Sequence, residues 1–187
     1  MPKDQSASYE VTQTEVVFKG RIWDVVRETF DYAGKPLVRE FVQHPGAVAV
    51  VALNEFNDVL LIHQYRQPVR QLLWELPAGL LDVVGESKLD AAKRELLEET
   101  GYVASDWQQL TEFHSTPGGS SETITIFLAK ELTLVGHDLV LEGEEVDMEI
   151  RWVPLAQALA DVMKSEMRSP TAAFGIMATS ILQSRSS

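Results

Sequence analysis

Residues 88–101 read Lys88-Leu89-Asp90-Ala91-Ala92-Lys93-Arg94-Glu95-Leu96-Leu97-Glu98-Glu99-Thr100-Gly101. The stretch predicts a helix over 88–100. Ser87 with Asp90 three residues on is a capping-box pattern, and Gly101 stands where a C-terminal cap glycine belongs. At about 100° per residue, Glu95, Glu98 and Glu99 fall on one face. Leu89, Ala92 and Leu96 form the adjoining apolar face, so the helix is expected to lie on a core. Carboxylates at this spacing repel by several tenths of a kcal/mol per pair, and Glu86 adds a fourth just ahead of the helix. Two readings follow. The face is simply solvated, or it is neutralised by a hard divalent cation such as Mg²⁺ or Mn²⁺. Such ions prefer carboxylate and carbonyl oxygen, often with phosphate oxygens completing the shell.

Outward from the helix, short β-type runs alternate with turn signals. Leu72-Leu73-Trp74-Glu75-Leu76-Pro77 reads as a short strand ended by Pro77 and Gly79. Before it, the apolar runs 47–53 and 59–63 flank Asn54-Glu55-Phe56-Asn57-Asp58, a hairpin loop. Residues 9–43 read as a small antiparallel sheet, with Val16, Val25, Val26, Phe30 and Phe41 among its β-formers. Asp31-Tyr32-Ala33-Gly34-Lys35-Pro36 is its turn. Such a sheet is too thin to hold a core alone and must pack on the main domain or on a second subunit. After the helix, strands are expected at 108–113, 123–129 and 149–153, and helices at 155–164 and 171–183. Strands on both sides of a central helix, with helices at the end, predict an α/β sandwich on a mixed sheet. His44-Pro45-Gly46 breaks the pattern, so an N-terminal β domain is expected over 1–43 and the main domain over 44–187.

Composition bounds the function. In 187 residues, 45% are hydrophobic and 24% charged, ordinary globular values that exclude disorder, collagen and coiled coil as the main architecture. There is no cysteine, which excludes disulfides, a thiolate metal site and a cysteine nucleophile. The net charge of −12 argues against broad binding of nucleic acid or anionic membrane. Any phosphate must be met by a local metal or a few arginines. The N-terminus lacks an apolar signal core, and the longest apolar run falls far short of the roughly 20 residues of a membrane helix. A cytoplasmic setting is expected.

The run from Gly79 to Glu86, seven further residues, and Arg94-Glu95-Leu96-Leu97-Glu98-Glu99-Thr100-Gly101-Tyr102 together resemble the Nudix box. That pattern is G-x5-E-x7-R-E-U-x-E-E-x-G-U, with U an apolar residue. This chain departs in having six residues between Gly79 and Glu86, and Tyr102 in the last apolar place. The resemblance implies an α/β/α sandwich and metal-dependent hydrolysis of a nucleoside diphosphate linked to another group. It implies Glu95 and Glu99 as metal ligands, Glu98 as a ligand or holder of water, and the Ala78 carbonyl as a further ligand. Arg94 would orient a box carboxylate.

Residues outside the box bear on substrate. Pro117 lies 117 − 101 = 16 residues beyond Gly101, in Ser115-Thr116-Pro117-Gly118-Gly119-Ser120-Ser121-Glu122. This resembles the ADP-ribose pyrophosphatase subgroup, as do Glu75-Leu76-Pro77-Ala78-Gly79 and Gln64-Tyr65-Arg66. Gly118 and Gly119 let a substrate approach the backbone, and Glu122 can accept hydrogen bonds from ribose hydroxyls. Arg66 has the fork to grip a phosphate. Glu75 is either a ribose or adenine contact or a brace for Arg66. Trp23, Phe30 and Tyr32 are candidates for stacking on adenine, and Arg39 and Glu40 for contacts across a dimer. The subgroup's layout implies a homodimer that exchanges its N-terminal domains. In the subgroup the general base is a glutamate on a loop. By position in Leu141-Glu142-Gly143-Glu144-Glu145-Val146-Asp147 it is expected to be Glu145, with Glu144 as the alternative and Glu98 next.

The expected activity is hydrolysis of ADP-ribose to AMP and ribose 5-phosphate. The alternatives are a Nudix enzyme for an ADP-sugar or damaged nucleotide, and a non-catalytic nucleotide sensor.

Overall fold

The computed structural model describes residues 1–136 and 148–185. The chain divides into two compact units, Met1–Pro45 with His114–Glu122, and Gly46–Phe113 with Thr123–Ser187. The first unit is a three-stranded antiparallel sheet of β1 (Val11–Lys19), β2 (Asp24–Tyr32) and β3 (Lys35–Gln43), in that order. Its second hairpin closes on Ala33 and Gly34, at φ 54° and 76°. Two consecutive positive φ values give the turn whose twist matches the strands. The Asp31 carboxylate accepts from Gly34 N–H at 3.0 Å and pins it. One face of the sheet carries Glu15, Arg27 and Glu40 in register, with Arg27 bonded to both acids. The other face carries Val16, Val26, Phe30, Leu37 and Phe41.

In the second unit, β4 (Ala47–Ala52), β5 (Asp58–Arg66), β6 (Gln71–Glu75) and β7 (Ala78–Leu80) precede α1 (Lys88–Thr100). After it come β8 (Tyr102–His114), β9 (Thr123–Leu134), β10 (Glu149–Pro154), α2 (Leu155–Met163) and α3 (Pro170–Ser184). One sheet has the order β7-β4-β9-β8 and is mixed, because β4 and β9 run parallel. The other, β10-β5-β6, is antiparallel.

Strand alternation divides the core in two. Val48, Val50 and Ala52 join Leu60 and the Ala91, Ala92 and Leu96 stripe of α1. Ala49 and Val51 join Leu61, Ala158 of α2 and Ala172 and Ile176 of α3. Successive residues of a strand point to opposite faces, so one continuous apolar run serves both layers. This is the α/β/α arrangement expected. No helix among the described residues is long and apolar enough to cross a membrane.

The boundaries differ from the sequence reading most clearly at three places. Ala78-Gly79-Leu80 is a strand of its own where the sequence reads only a break at Pro77 and Gly79, because it pairs antiparallel with β4. β8 begins at Tyr102, not 108: Tyr102, Ala104 and Trp107 pack on the α1-side core even though polar residues interrupt their alternation. β9 continues past 129 to Leu134.

Candidate active site

Glu95, Glu98 and Glu99 are carried by α1, and Glu86 lies just ahead of it in the connection from β7. The ends of α1 form as its sequence demands. The Ser87 hydroxyl accepts from Asp90 N–H at 3.1 Å. Gly101 adopts φ 73° and donates its N–H to the Leu97 carbonyl at 2.8 Å. These caps satisfy backbone groups at the two helix ends. With the apolar stripe seated on β4 and β9, the next faces turn Glu95 and Glu99 toward β7. Glu99 is only 7% exposed, and its Oε2 accepts from Ala78 N–H at 2.8 Å. The Glu95 side chain, 13% exposed, lies against Gly79. A Cβ on residue 79 would stand 1.9–2.5 Å from the Glu95 carboxyl carbon and oxygens, so only glycine admits that carboxylate.

Arg94 binds three acids at once. Its Nε and Nη2 fork onto Glu86 at 3.0 Å each, and Nη1 reaches Glu95 at 2.6 Å and Glu98 at 3.0 Å. These bonds, Glu86 first, push the Arg94 pKa above its ordinary value despite burial. The Glu95 carboxyl is pushed up, chiefly by desolvation. Arg94 opposes that shift, while Glu98 and Asp82 add to it. Glu98 is more open, at 41% exposed.

Glu99 at least is not part of a simple solvated face. Four carboxylates stand against one guanidinium, Glu99 being buried and Glu95 half-buried. Among the described residues no three acidic or histidine side chains already form a metal cage. The donor set is nonetheless all oxygen, desolvated and in charge excess, which fits a hard divalent cation.

Arg66, at the end of β5, forks onto Glu75 at the end of β6, with Nε at 3.2 Å and Nη2 at 2.8 Å. Glu75 therefore braces Arg66, one of the roles expected of it. Its register partner is Ile62, which places it on the Leu60 side of the sheet, the side of α1.

The first unit gathers Trp23, Gly118 and Glu122. Segment 115–122 is zipped to the end of β3: Val42 N–H donates to Gly119 O at 2.9 Å, and Ser121 N–H to Val42 O at 3.0 Å. Glu122 Oε2 accepts from Ser115 Oγ. A Cβ on Gly118 or Gly119 would meet nothing within 4 Å, so the fold itself does not require glycine there. Arg39 lies opposite Glu28 on the apolar face of the sheet and donates to the carbonyl of Val38 at 2.8 Å. Sequence reading passed over His44, which appears there only as the start of a His-Pro-Gly break. Its ring lies beside Trp23 and Glu122, and only the pairing of β3 with segment 115–122 reveals this. Glu144 and Glu145 lie outside the described residues.

The Nudix domain pattern matches residues 43–174, which span α1, β7 and their acids. This chain belongs to the Nudix family. Among Nudix relatives, the ADP-ribose pyrophosphatase of Mycobacterium tuberculosis is 39% identical over 171 residues, 91% of this chain and 82% of that protein. The ADP-ribose pyrophosphatase of Bacillus subtilis is 36% identical over 163 residues, 87% of each chain. The crystal structure of an ADP compounds hydrolase shares the Nudix fold with a TM-score of 0.80. It is 22% identical, with 98% of each chain covered.

Proposed function

We propose that this Nudix protein hydrolyses the diphosphate of ADP-ribose to AMP and ribose 5-phosphate, with Mg²⁺ or Mn²⁺. The observation that carries this reading is the acidic pair against β7, Glu99 buried and Glu95 half-buried. It stands in a chain resembling two ADP-ribose pyrophosphatases over most of its length. Glu95, Glu98, Glu99 and the Ala78 carbonyl would hold the cation. When bound, it supplies positive charge against the diphosphate and acidifies the attacking water.

The chain's own residues prepare for this. Gly79 seats Glu95, Ala78 N–H orients Glu99, and Arg94 keeps Glu86, Glu95 and Glu98 together. Braced by Glu75, the Arg66 guanidinium is limited to a few orientations in which it meets a phosphate. Trp23 takes the adenine face, Gly118 leaves room beside the loop, and Glu122 accepts from ribose hydroxyls. Glu145, or Glu144 beside it, accepts the proton of the attacking water.

We also propose a cytoplasmic homodimer with Arg39 reaching across its interface. In support, Val11, Val16, Phe18, Ile22 and Val38 of the first unit are all exposed. Several exposed apolar side chains on one thin sheet are material for an interface.

The test is a panel of ADP-ribose, ADP-glucose, GDP-mannose and an oxidised nucleoside triphosphate with Mg²⁺ and product identification. AMP and ribose 5-phosphate, formed from ADP-ribose well above the others, is expected. Preference for another compound would reassign the substrate, and no turnover with any would overturn the reading.

A further inference from the structure

We propose that His44 is a positioning residue, joining the base-stacking face of Trp23 to the sugar-binding carboxylate of Glu122. The ligand's identity rests on the function proposed above; the coupling rests on the first unit alone. The His44 side chain is 7% exposed, whereas Trp23 is 44% and the Glu122 side chain 23% exposed. A buried imidazole therefore stands between two groups that both reach solvent. Its ring centre lies 5.4 Å from that of Trp23 at 32°, and its Nε2 lies 3.4 Å from Glu122 Oε1.

The backbone of His44 is itself clamped. Its N–H donates to Ser121 Oγ at 2.9 Å, and that hydroxyl lies 3.4 Å from the carbonyls of Val42 and His44. Glu122 is held from two sides, since Ser115 bonds its other oxygen and Ser120 Oγ accepts from its N–H at 3.1 Å.

A carboxylate has about four acceptor positions, so Glu122 keeps capacity for a diol after meeting His44 and Ser115. The open part of the indole is a flat apolar surface that a purine covers. Locking the two together before the ligand arrives removes ordering entropy from binding. The ligand class is a molecule with a planar base and a vicinal diol. His44 meets it only through its two neighbours.

The experiment measures kcat and KM for ADP-ribose with Mg²⁺ in the wild type, H44A, H44Q, E122Q and H44A/E122Q, with melting curves for each. H44A is expected to raise KM about 5–20-fold with kcat within about threefold, as loss of one or two aligned contacts implies. H44Q, which can still present an N–H to Glu122, should recover part of that. The double variant should fall well short of the product of the two single effects. An unchanged KM in H44A, fully multiplicative effects, or a loss confined to kcat would overturn the proposal. A lowered melting point with wild-type KM would make His44 merely structural, which also overturns it. Should H44A not fold, H44Q and E122Q carry the same comparison. Failure of the wild type to cleave ADP-ribose would refute the functional reading alone; KM for the diphosphate it does cleave would then test His44.

Discussion

Glu99 combines burial with a backbone partner, and that sets its test. Glutamine keeps an acceptor for Ala78 N–H but removes the charge that would hold a cation. Glu99→Gln should therefore stay folded, lose the rise in melting temperature that Mg²⁺ gives the wild type, and fall in turnover by at least about 10²-fold. Full turnover at limiting Mg²⁺ would reject the assignment. Gly79→Ala probes the same place from β7. The new methyl overlaps the Glu95 carboxyl and forces it aside. Displacements near 1 Å at reacting groups are worth about 10²-fold in rate, so kcat should drop to that extent in steady-state assays. For the base, Glu145→Gln should lower kcat by about 10²–10⁴-fold with little change in KM. If Glu144→Gln is the more damaged, the base is Glu144. The pair Glu95 and Glu99 was legible from helical spacing and the box pattern. The burial of Glu99 was not, because i, i+4 spacing fixes a shared face but not what that face meets.

Among the elements, α3 approaches the sheet closely because residue 175 has no side chain. A Cβ there would lie 2.7 Å from Leu76 Cδ1 and 2.9 Å from Val51 Cγ2. Gly175→Ala should therefore destabilise by about 1–3 kcal/mol through overpacking. At this chain length that lowers the melting temperature by about 2–4 °C per kcal/mol, readable by calorimetry. A melting temperature at or above wild type would show that α3 shifts freely. Helix α1 was the most readable element because Ser87, the apolar stripe and Gly101 all specify it locally. Strand β7 was not. Three residues between a proline and a loop have no periodicity of their own, and it is pairing with β4 that makes Ala78-Gly79-Leu80 extended. The start of β8 was missed for a related reason, since tertiary packing of Tyr102 and Trp107 outweighs a poor alternation.

For the whole molecule, the exposed apolar residues of the first unit lead to a prediction about assembly. The chain should sediment as a dimer at micromolar concentration, the commonest symmetric assembly. Val16→Glu, which puts a charge on that surface, should shift it toward monomer while leaving the second unit's melting intact. A wild-type monomer at that concentration would refute the dimer.

By itself the sequence determined the central helix, its caps, its carboxylates and the family they belong to. It also determined the α/β class and the thin N-terminal sheet. Each of these depends on residues close together in the chain, where helical and strand periods and capping chemistry act directly. Only the tertiary structure decided that Glu99 is buried on Ala78 N–H and that Gly79 is the seat of Glu95. It alone decided that Arg94 gathers three acids, and that segment 115–122 closes on β3 to bring His44, Trp23 and Glu122 together. Those contacts join residues up to about eighty positions apart. Strand pairing and packing set them, and no local pattern encodes which distant backbone a side chain will meet.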